Sequence, residues 1–180
     1  MPPSEEPPLP PEPSQDEDSR KNHDRQVVSI TLSPIHLLFP VFEAQIEVKP
    51  TPHLGLAVIG GIGSTKYESS IGDTKFAVYE LGAQIIGYPL RDFSSLQLGA
   101  EVMYLHVSTE QINGQNVSAA AGGVAVGPLV GYKVLTKAGF TFFVQGGFEY
   151  VAIKANDDQG NNAEQSSVIP LLNLNLGWSF

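Results

Sequence analysis

Apolar and polar residues alternate along most of this chain with a period of two. The pattern is clearest at the C-terminus, where residues 168–180 read VIPLLNLNLGWSF. Successive side chains of a strand point to opposite sides of its sheet, so one face of this segment is apolar throughout and the other is partly polar. A strand of about 9 to 11 residues is long enough to cross a bilayer. The segment is therefore predicted to be a strand with one lipid-compatible face.

The chain after residue 26 divides into strand-like runs and turn-like breaks. The tight breaks lie near residues 49–53, 91–94 and 136–139, whereas the breaks near 110–116 and 155–166 are longer and polar. Residues 34–40 are too apolar for an ordinary exposed loop, and we interpret them as a short helical turn or as part of one kinked strand. Eight strands are predicted, at 27–33, 40–49, 54–67, 75–89, 95–108, 117–133, 139–154 and 167–180.

The side chains of these strands form one apolar face and one polar face. No charged residue interrupts the apolar face. The polar face mixes carboxylates and amides with many glycines, which suits the crowded interior of a narrow eight-stranded barrel. Cations are few on this face, chiefly Lys133 and Lys49. The glutamates that share it are Glu43, Glu47, Glu80, Glu101 and Glu149.

The C-terminal segment resembles the assembly signal of bacterial outer-membrane β-barrels, a final alternating strand that ends in phenylalanine. Leu176, Trp178 and Phe180 carry the resemblance. It implies an all-β fold over residues 27–180, an eight-stranded antiparallel up-and-down transmembrane β-barrel of the OmpA/OmpX/OmpW-like class. It also implies a Gram-negative outer membrane as the location, with outer-membrane lipid and the barrel assembly machinery as partners. Barrels of this class have short periplasmic turns and longer outer loops, so an even strand count places the N-terminal tail in the periplasm.

Residues 1–26 are a separate region by composition. They contain seven of the 14 prolines and seven acidic residues, with few apolar ones. Such a segment has little surface to bury, and we predict a disordered, Pro-rich acidic tail. The region also lacks the apolar core of a secretory signal, so we expect the export signal to lie outside this sequence.

Composition narrows the function classes further. The 180-residue chain has a formal net charge of −9 and no cysteine. Nucleic-acid binding needs clustered Lys and Arg, so no nucleic-acid partner is predicted. Without thiols, neither disulfides nor thiolate metal chemistry can be proposed. No cofactor, metal site or catalytic site is predicted.

The inward-facing residues are expected to differ between the two ends of the barrel. With Phe180 at the floor, polar side chains occupy the lower interior and apolar side chains the upper. An apolar upper chamber is similar to that of OmpW-like barrels, which take small hydrophobic molecules and lead them sideways into the membrane. A plug of packed side chains, in a purely structural barrel, is the equal alternative. The predicted lining residues are Phe76, Val78, Met103, Leu105, Val151 and Ile153, with Ile35, Leu37 and Phe39 as a cap.

Two further functions stay open at this point. His106 and Ser108 on the lipid side resemble the His-x-Ser pair of outer-membrane lipid A deacylases, which implies a lipid-modifying enzyme with a histidine base and a serine nucleophile. The residue after the serine is Thr109, where the family has asparagine, and an acid partner is unassigned. A soluble lipocalin-like binding barrel would use the same alternation with its polar face outward.

Deletion of Phe180 tests the assembly signal. Because Phe180 ends the apolar stripe that the insertion machinery would read, the deletion should reduce the yield of folded, heat-modifiable barrel in outer membranes several-fold. Electrophoresis of unheated and heated membrane fractions measures this yield. An unchanged yield would count against the export-signal interpretation.

Overall fold

The computed structural model describes residues 26–36, 41–69, 72–90, 95–112, 119–157 and 162–180. Each strand pairs antiparallel with its chain neighbour, and the first strand pairs with the last to give one closed barrel. The predicted eight-stranded up-and-down barrel is confirmed. The strands are β1 Val28–Leu32, β2 Val41–Thr51, β3 Leu54–Ser69, β4 Gly72–Gly87, β5 Leu96–Ile112, β6 Ala119–Leu135, β7 Phe140–Asp157 and β8 Asn162–Ser179.

Several strands are longer than the sequence predicts at the end away from Phe180. The pairing of β7 with β8 continues up to Asn156 and Asn162, and that of β3 with β4 up to Ser69 and Gly72. The predicted polar loop at 155–166 is therefore mostly strand. Backbone pairing does not require an apolar face, and a ladder with water on both sides can carry polar side chains on both faces.

Two sequence-based assignments fall partly outside the described residues. In the segment at 34–40, Pro34 and Ile35 form a turn and His36 adopts a 3₁₀ conformation, whereas residues 37–40 are not described. The predicted tail, residues 1–26, is described only at Gln26. The tail and the Leu37 and Phe39 part of the cap therefore stay predictions.

The two faces of the barrel are the reverse of those in a soluble protein. Glutamates, glutamines and asparagines are buried inside, and large apolar side chains are exposed outside. The described residues carry no exposed charged side chain on the outer face between two rings of aromatic residues. The lower ring contains Tyr132, Phe140, Trp178 and Phe180, and the upper ring contains Tyr79, Tyr104, Phe148 and Tyr150.

The spacing of the aromatic rings matches the thickness of a membrane. Phe140 and Tyr150 mark the two rings on β7, and the run between them corresponds to the roughly 9 to 11 residues that a tilted strand needs to cross a bilayer. Interfacial aromatic girdles around an apolar band are characteristic of transmembrane barrels. The polar-outward arrangement of a lipocalin-like barrel is therefore wrong for this chain. Among the described residues, no helix is long and apolar enough to span a membrane.

Both ends of the barrel domain meet at the level of the tight turns. The N–H of Val27 donates to the carbonyl oxygen of Phe180 at 2.7 Å. The N–H of Phe180 donates to the carbonyl oxygen of Val28 at 2.8 Å. In the turn before β7, Gly139 has a φ of 96° and accepts a hydrogen bond from Ser179 N at 2.7 Å. A side chain at Gly139 would be strained by this φ and would meet the Trp178 ring. The last strand is thus held at the floor by backbone bonds on both sides.

Among the described strands, β1 is the shortest. It pairs with β8 from Ser29 to Leu32, opposite Ser179 to Leu176. The described pairing of β2 with β3 begins at Val41 and Gly63. We call the region above these levels, between the upper parts of β3 and β8 and next to the β1–β2 connection, the notch. The hydroxyl of Ser33 donates to the Leu174 carbonyl at 3.2 Å, so the β1–β2 connection satisfies one group on the β8 edge.

Arginine scanning tests which face contacts lipid. Val130 is 51% exposed on the outer face and lies between the two aromatic rings. A Val130→Arg substitution should cost about 2–4 kcal/mol of unfolding free energy in lipid vesicles, because it places a charge near the bilayer midplane.

The matched control is Ala152→Arg, which lies on the same face beyond Tyr150. There the cost should be about 0–1 kcal/mol, as expected near an interface. Denaturant titration of both variants in vesicles gives the comparison, and equal costs would contradict a membrane-embedded outer face.

Candidate functional site in the barrel lumen

A buried ion pair closes the floor of the lumen. Lys133 Nζ lies 2.6 Å from Glu47 Oε2, and both side chains are fully buried. Lys133 also donates to the Ser29 hydroxyl at 3.1 Å. The Tyr88 hydroxyl donates to Glu47, and Gln97 Nε2 donates to the Tyr88 oxygen at 3.0 Å. Because both charges are paired and hydrogen-bonded, the floor can exclude water without leaving a charge unsatisfied.

A chain of amide side chains continues this network upward. Gln145 Nε2 donates to Gln97 Oε1 at 2.9 Å, and Gln84 Nε2 donates to Gln145 Oε1 at 3.2 Å. Gln84 also donates to Glu101, whose Oε2 accepts a second bond from Asn173 Nδ2 at 3.1 Å. All five side chains are buried. The lower lumen is therefore filled by a connected polar network, as the sequence predicts for this end.

An apolar cluster lies directly above the amide network. Ile59, Met103, Ala125 and Val151 are buried against one another, and the half-buried Leu105 packs on them. Met103 follows Glu101 by two positions on β5 and therefore faces the same interior. The two predicted lining residues Met103 and Val151 thus belong to a packed base.

The apolar inner wall above this base is accessible. Phe76, Val78 and Val107 are half-buried, and Ile153 and Ile169 are 44% and 42% exposed. We call this surface, together with Leu105, the cup. The described inner wall is thus polar in its lower part and carries partly exposed apolar side chains above a packed base. Occupation of the cup by a ligand stays a prediction.

One cluster of three titratable residues in the lumen was not predicted as a site. His36, Glu43 and Glu80 place potential ligand atoms within 4.8 Å of one another. His36 Nδ1 lies 3.4 Å from Glu43 Oε1 and 2.8 Å from the Ser33 hydroxyl. Burial lowers the pKa of His36, which lies in the β1–β2 connection, so the neutral imidazole is favoured. The alternation of β2 and β4 points both glutamates inward, but only the path of the connection brings His36 to them.

The His106 and Ser108 pair lies at the outer surface. Both residues are half-buried, and His106 borders an outward-facing groove of about 410 Å³ that Tyr104, Gly122 and Lys154 also line. In the described part of the chain, no hydrogen bond joins His106 to Ser108. Glu110 is the carboxylate next to this pair in the sequence, and its side chain is outside that part. The lipid-modifying function stays an untested prediction.

Comparison with solved structures finds barrels of low sequence identity. The chain is similar to a major outer membrane protein from Thermus thermophilus at 14% identity and a TM-score of 0.48, over 86% of this chain and 98% of that one. It is also similar to CarO of Acinetobacter baumannii at 10% identity and a TM-score of 0.45, over 86% and 97%. For CarO2 of A. baumannii the values are 12%, 0.40, 86% and 98%.

Sequence comparisons add no family. No protein-family model matches the chain, and a search of curated proteins gives no significant match. The assignment therefore depends on the architecture of the chain itself. A closed eight-stranded barrel with a chargeless outer band and aromatic girdles is the architecture of an outer-membrane β-barrel protein, as the resemblance of the C-terminal strand implies.

Removal of one partner of the floor ion pair tests its role. Lys133→Met leaves Glu47 buried without its cation and should cost about 3–5 kcal/mol of unfolding free energy. The double variant Glu47→Gln/Lys133→Met removes both charges and should recover most of this loss.

Denaturant unfolding of the parent, Lys133→Met, Glu47→Gln and the double variant gives a double-mutant cycle for the pair. If Lys133→Met were as stable as the parent protein, the floor would be hydrated rather than sealed.

Proposed function

We propose that this outer-membrane barrel binds small hydrophobic molecules in the cup and passes them sideways through the notch into the membrane. The observation that carries the proposal is an accessible apolar surface inside the barrel, directly above a packed and hydrogen-bonded lower lumen. Exposed apolar surface in a concave site favours apolar ligands, since their transfer from water removes apolar area on both partners.

The filled lower lumen supports a lateral route over an axial one. The fully buried Lys133–Glu47 pair and the amide network block the way from the cup to the floor. A hydrophobic molecule would also have to displace charged and amide groups that are already paired, which is unfavourable.

The notch supplies the sideways exit in this proposal. Ile169 lies on the inner face of β8 in the part of that strand that extends above its pairing with β1. A molecule at Ile169 would therefore lie next to the notch, and beyond the notch lies the outer apolar face of the barrel. Contact with outer-membrane lipid is part of this proposal.

The orientation follows from the chain ends. Val27 and Phe180 meet at the end that carries the tight turns, and short turns are periplasmic in barrels of this type. We place the N-terminal tail in the periplasm and the cup at the outer surface. Recognition of Phe180 by the barrel assembly machinery belongs to the same proposal.

A purely structural barrel is the rival function, and the packed base of the cup favours it. In that case the apolar upper wall would serve only to stabilise the barrel, and no ligand would be bound. The two functions differ in how the protein responds to an apolar compound.

Thermal unfolding with an apolar probe separates them. N-phenyl-1-naphthylamine at saturating concentration should raise the Tm of the parent in lipid bicelles by roughly 2 °C or more, because a ligand that binds only the folded state stabilises it. Leu105→Trp should fill part of the cup and abolish this rise while the barrel still folds.

The matched control is Val102→Trp, which introduces the same side chain on the outer face of the same strand. It should leave the probe-induced rise intact. A parent that does not respond to the probe, together with a Leu105→Trp variant destabilised by about 1–3 kcal/mol from overpacking, would leave only the structural barrel.

A further inference from the structure

Four carboxylates lie close together in the lumen: Glu101 belongs to the amide network, and Glu80 on β4 lies opposite Leu105 of the cup. Glu101 exerts an electrostatic effect on Glu43, Glu80 and Glu149, and also on His36. These side chains come from four different strands and from the β1–β2 connection. We call this group the acidic layer. Like charges held together away from water repel one another strongly unless a cation or protons compensate them.

The floor lysine is already engaged elsewhere. Lys133 binds Glu47 Oε2 at 2.6 Å and the Ser29 hydroxyl at 3.1 Å, below the amide network. Its ammonium group therefore neutralises Glu47 rather than the acidic layer. His36 contacts the layer directly, with its Nδ1 at 3.4 Å from Glu43 Oε1.

Two carboxylate oxygens of the layer lack a hydrogen-bond partner. Glu80 Oε2 and Glu149 Oε1 are buried atoms with no partner among the described residues, and Glu149 as a whole is only 7% exposed. A buried carboxylate oxygen without a donor is costly, since it has lost its hydration and gained nothing. Both oxygens belong to side chains that face the same layer, which points to a missing electropositive partner there.

The geometry of His36 and its two neighbours suits a bound metal ion. The ligand atoms of His36, Glu43 and Glu80 lie within 4.8 Å of one another. His36 Nδ1 and Glu43 Oε1 are 3.4 Å apart, close to the roughly 3.4 Å edge between two ligands that bind one Zn²⁺ tetrahedrally at about 2.1 Å. The ligand atom of Glu80 on β4 lies within 4.8 Å of both and completes the triangle.

Metal binding at His36 would replace one contact of the imidazole. The Ser33 hydroxyl donates to the Leu174 carbonyl at 3.2 Å and also lies 2.8 Å from His36 Nδ1. Because the hydroxyl has a single proton, a metal bound to the Nδ1 lone pair would take the place of the Ser33–His36 contact, while Ser33 keeps its hydrogen bond to Leu174. This arrangement positions the ring between the β8 edge and the acidic layer.

We propose that His36, Glu43 and Glu80 form a binding site for one divalent transition-metal cation of the Zn²⁺ class, with Glu101 and Glu149 as nearby compensating carboxylates. One imidazole nitrogen with two carboxylates is a ligand set for Zn²⁺ or Mn²⁺, whereas Ca²⁺ and Mg²⁺ take oxygen ligands. The ion would tie the β1–β2 connection to β2 and β4 across the lumen. The site does not depend on the proposed ligand passage.

Calorimetric titration of the full chain tests the site. The protein is refolded in detergent, treated with EDTA and desalted, and then titrated with ZnCl₂, CaCl₂ and MgCl₂. We expect one Zn²⁺ per barrel and a Tm increase of about 3 °C or more with Zn²⁺. His36→Gln and Glu80→Gln should each weaken Zn²⁺ binding at least tenfold.

Controls address the other histidines and the folding of the variants. His23→Gln, His53→Gln and His106→Gln should leave the Zn²⁺ isotherm unchanged, and Glu164→Gln controls for loss of an exposed carboxylate. Heat-modifiable migration confirms folding, and Glu43→Gln provides a second carboxylate variant if Glu80→Gln does not fold.

Three results would overturn the site. A folded parent that binds no Zn²⁺ would mean that protons alone neutralise the layer. Unchanged Zn²⁺ binding in the folded Glu80→Gln and Glu43→Gln variants would place the ion elsewhere. Tighter binding of Ca²⁺ than of Zn²⁺, unaffected by His36→Gln, would exclude the imidazole as a ligand.

Discussion

The constraint on which the rest of this structure depends is that a backbone in lipid must satisfy all its hydrogen bonds internally. A sheet meets this requirement only if it closes, and here the pairing of β1 with β8 closes it. Closure in turn fixes the two faces, because alternate side chains must point either to lipid or to a narrow lumen. The chargeless outer band and the polar lumen are two consequences of the same ladder.

The narrow lumen imposes a second constraint, because polar side chains buried away from water need partners within the protein. At the floor these partners are direct: Lys133 pairs with Glu47, and amide side chains hydrogen-bond one another. Higher up, the carboxylates outnumber the basic groups that contact them, and two oxygens lack partners. Beside these carboxylates and above them the wall is apolar, packed at the base and more exposed higher up. The two candidate sites lie above the hydrogen-bonded floor. One is a cation site at the acidic layer, where carboxylate oxygens lack partners, and the other is the apolar cup.

Much of the fold could be predicted from the sequence, because one physical signal sets both strand and face. A charge-free stripe such as Leu98, Ala100, Val102 and Tyr104 defines its strand and its lipid side without knowledge of any other strand. The outer strand ends could not be predicted in the same way. Asn156 and Asn162 pair in a part of the ladder that continues beyond the apolar stripe, and backbone pairing does not require apolar side chains, so their polarity carried no information about pairing.

The candidate site was predicted only in part, for a similar reason. The polar and apolar halves of the lumen follow from position along each strand, and they are present as expected. The packing of Met103 and Val151 into a base depends on how the two strands are staggered around the barrel. The meeting of His36 with Glu43 and Glu80 depends on the fold of a connection that has no periodic pattern. A rule based on alternation cannot place such a residue.

The central claim, that apolar residues of each strand face lipid and polar residues face a closed lumen, is tested most directly by site-directed spin labelling. The chain has no cysteine, so single cysteines can be placed at each position from 124 to 134 of β6 and labelled in lipid vesicles. The account predicts that collision with dissolved oxygen is high at Val124, Val126 and Val130 and low at Ala125 and Leu129, with a period of two. Labels at the outward positions that collide instead with a water-soluble nickel chelate would contradict it.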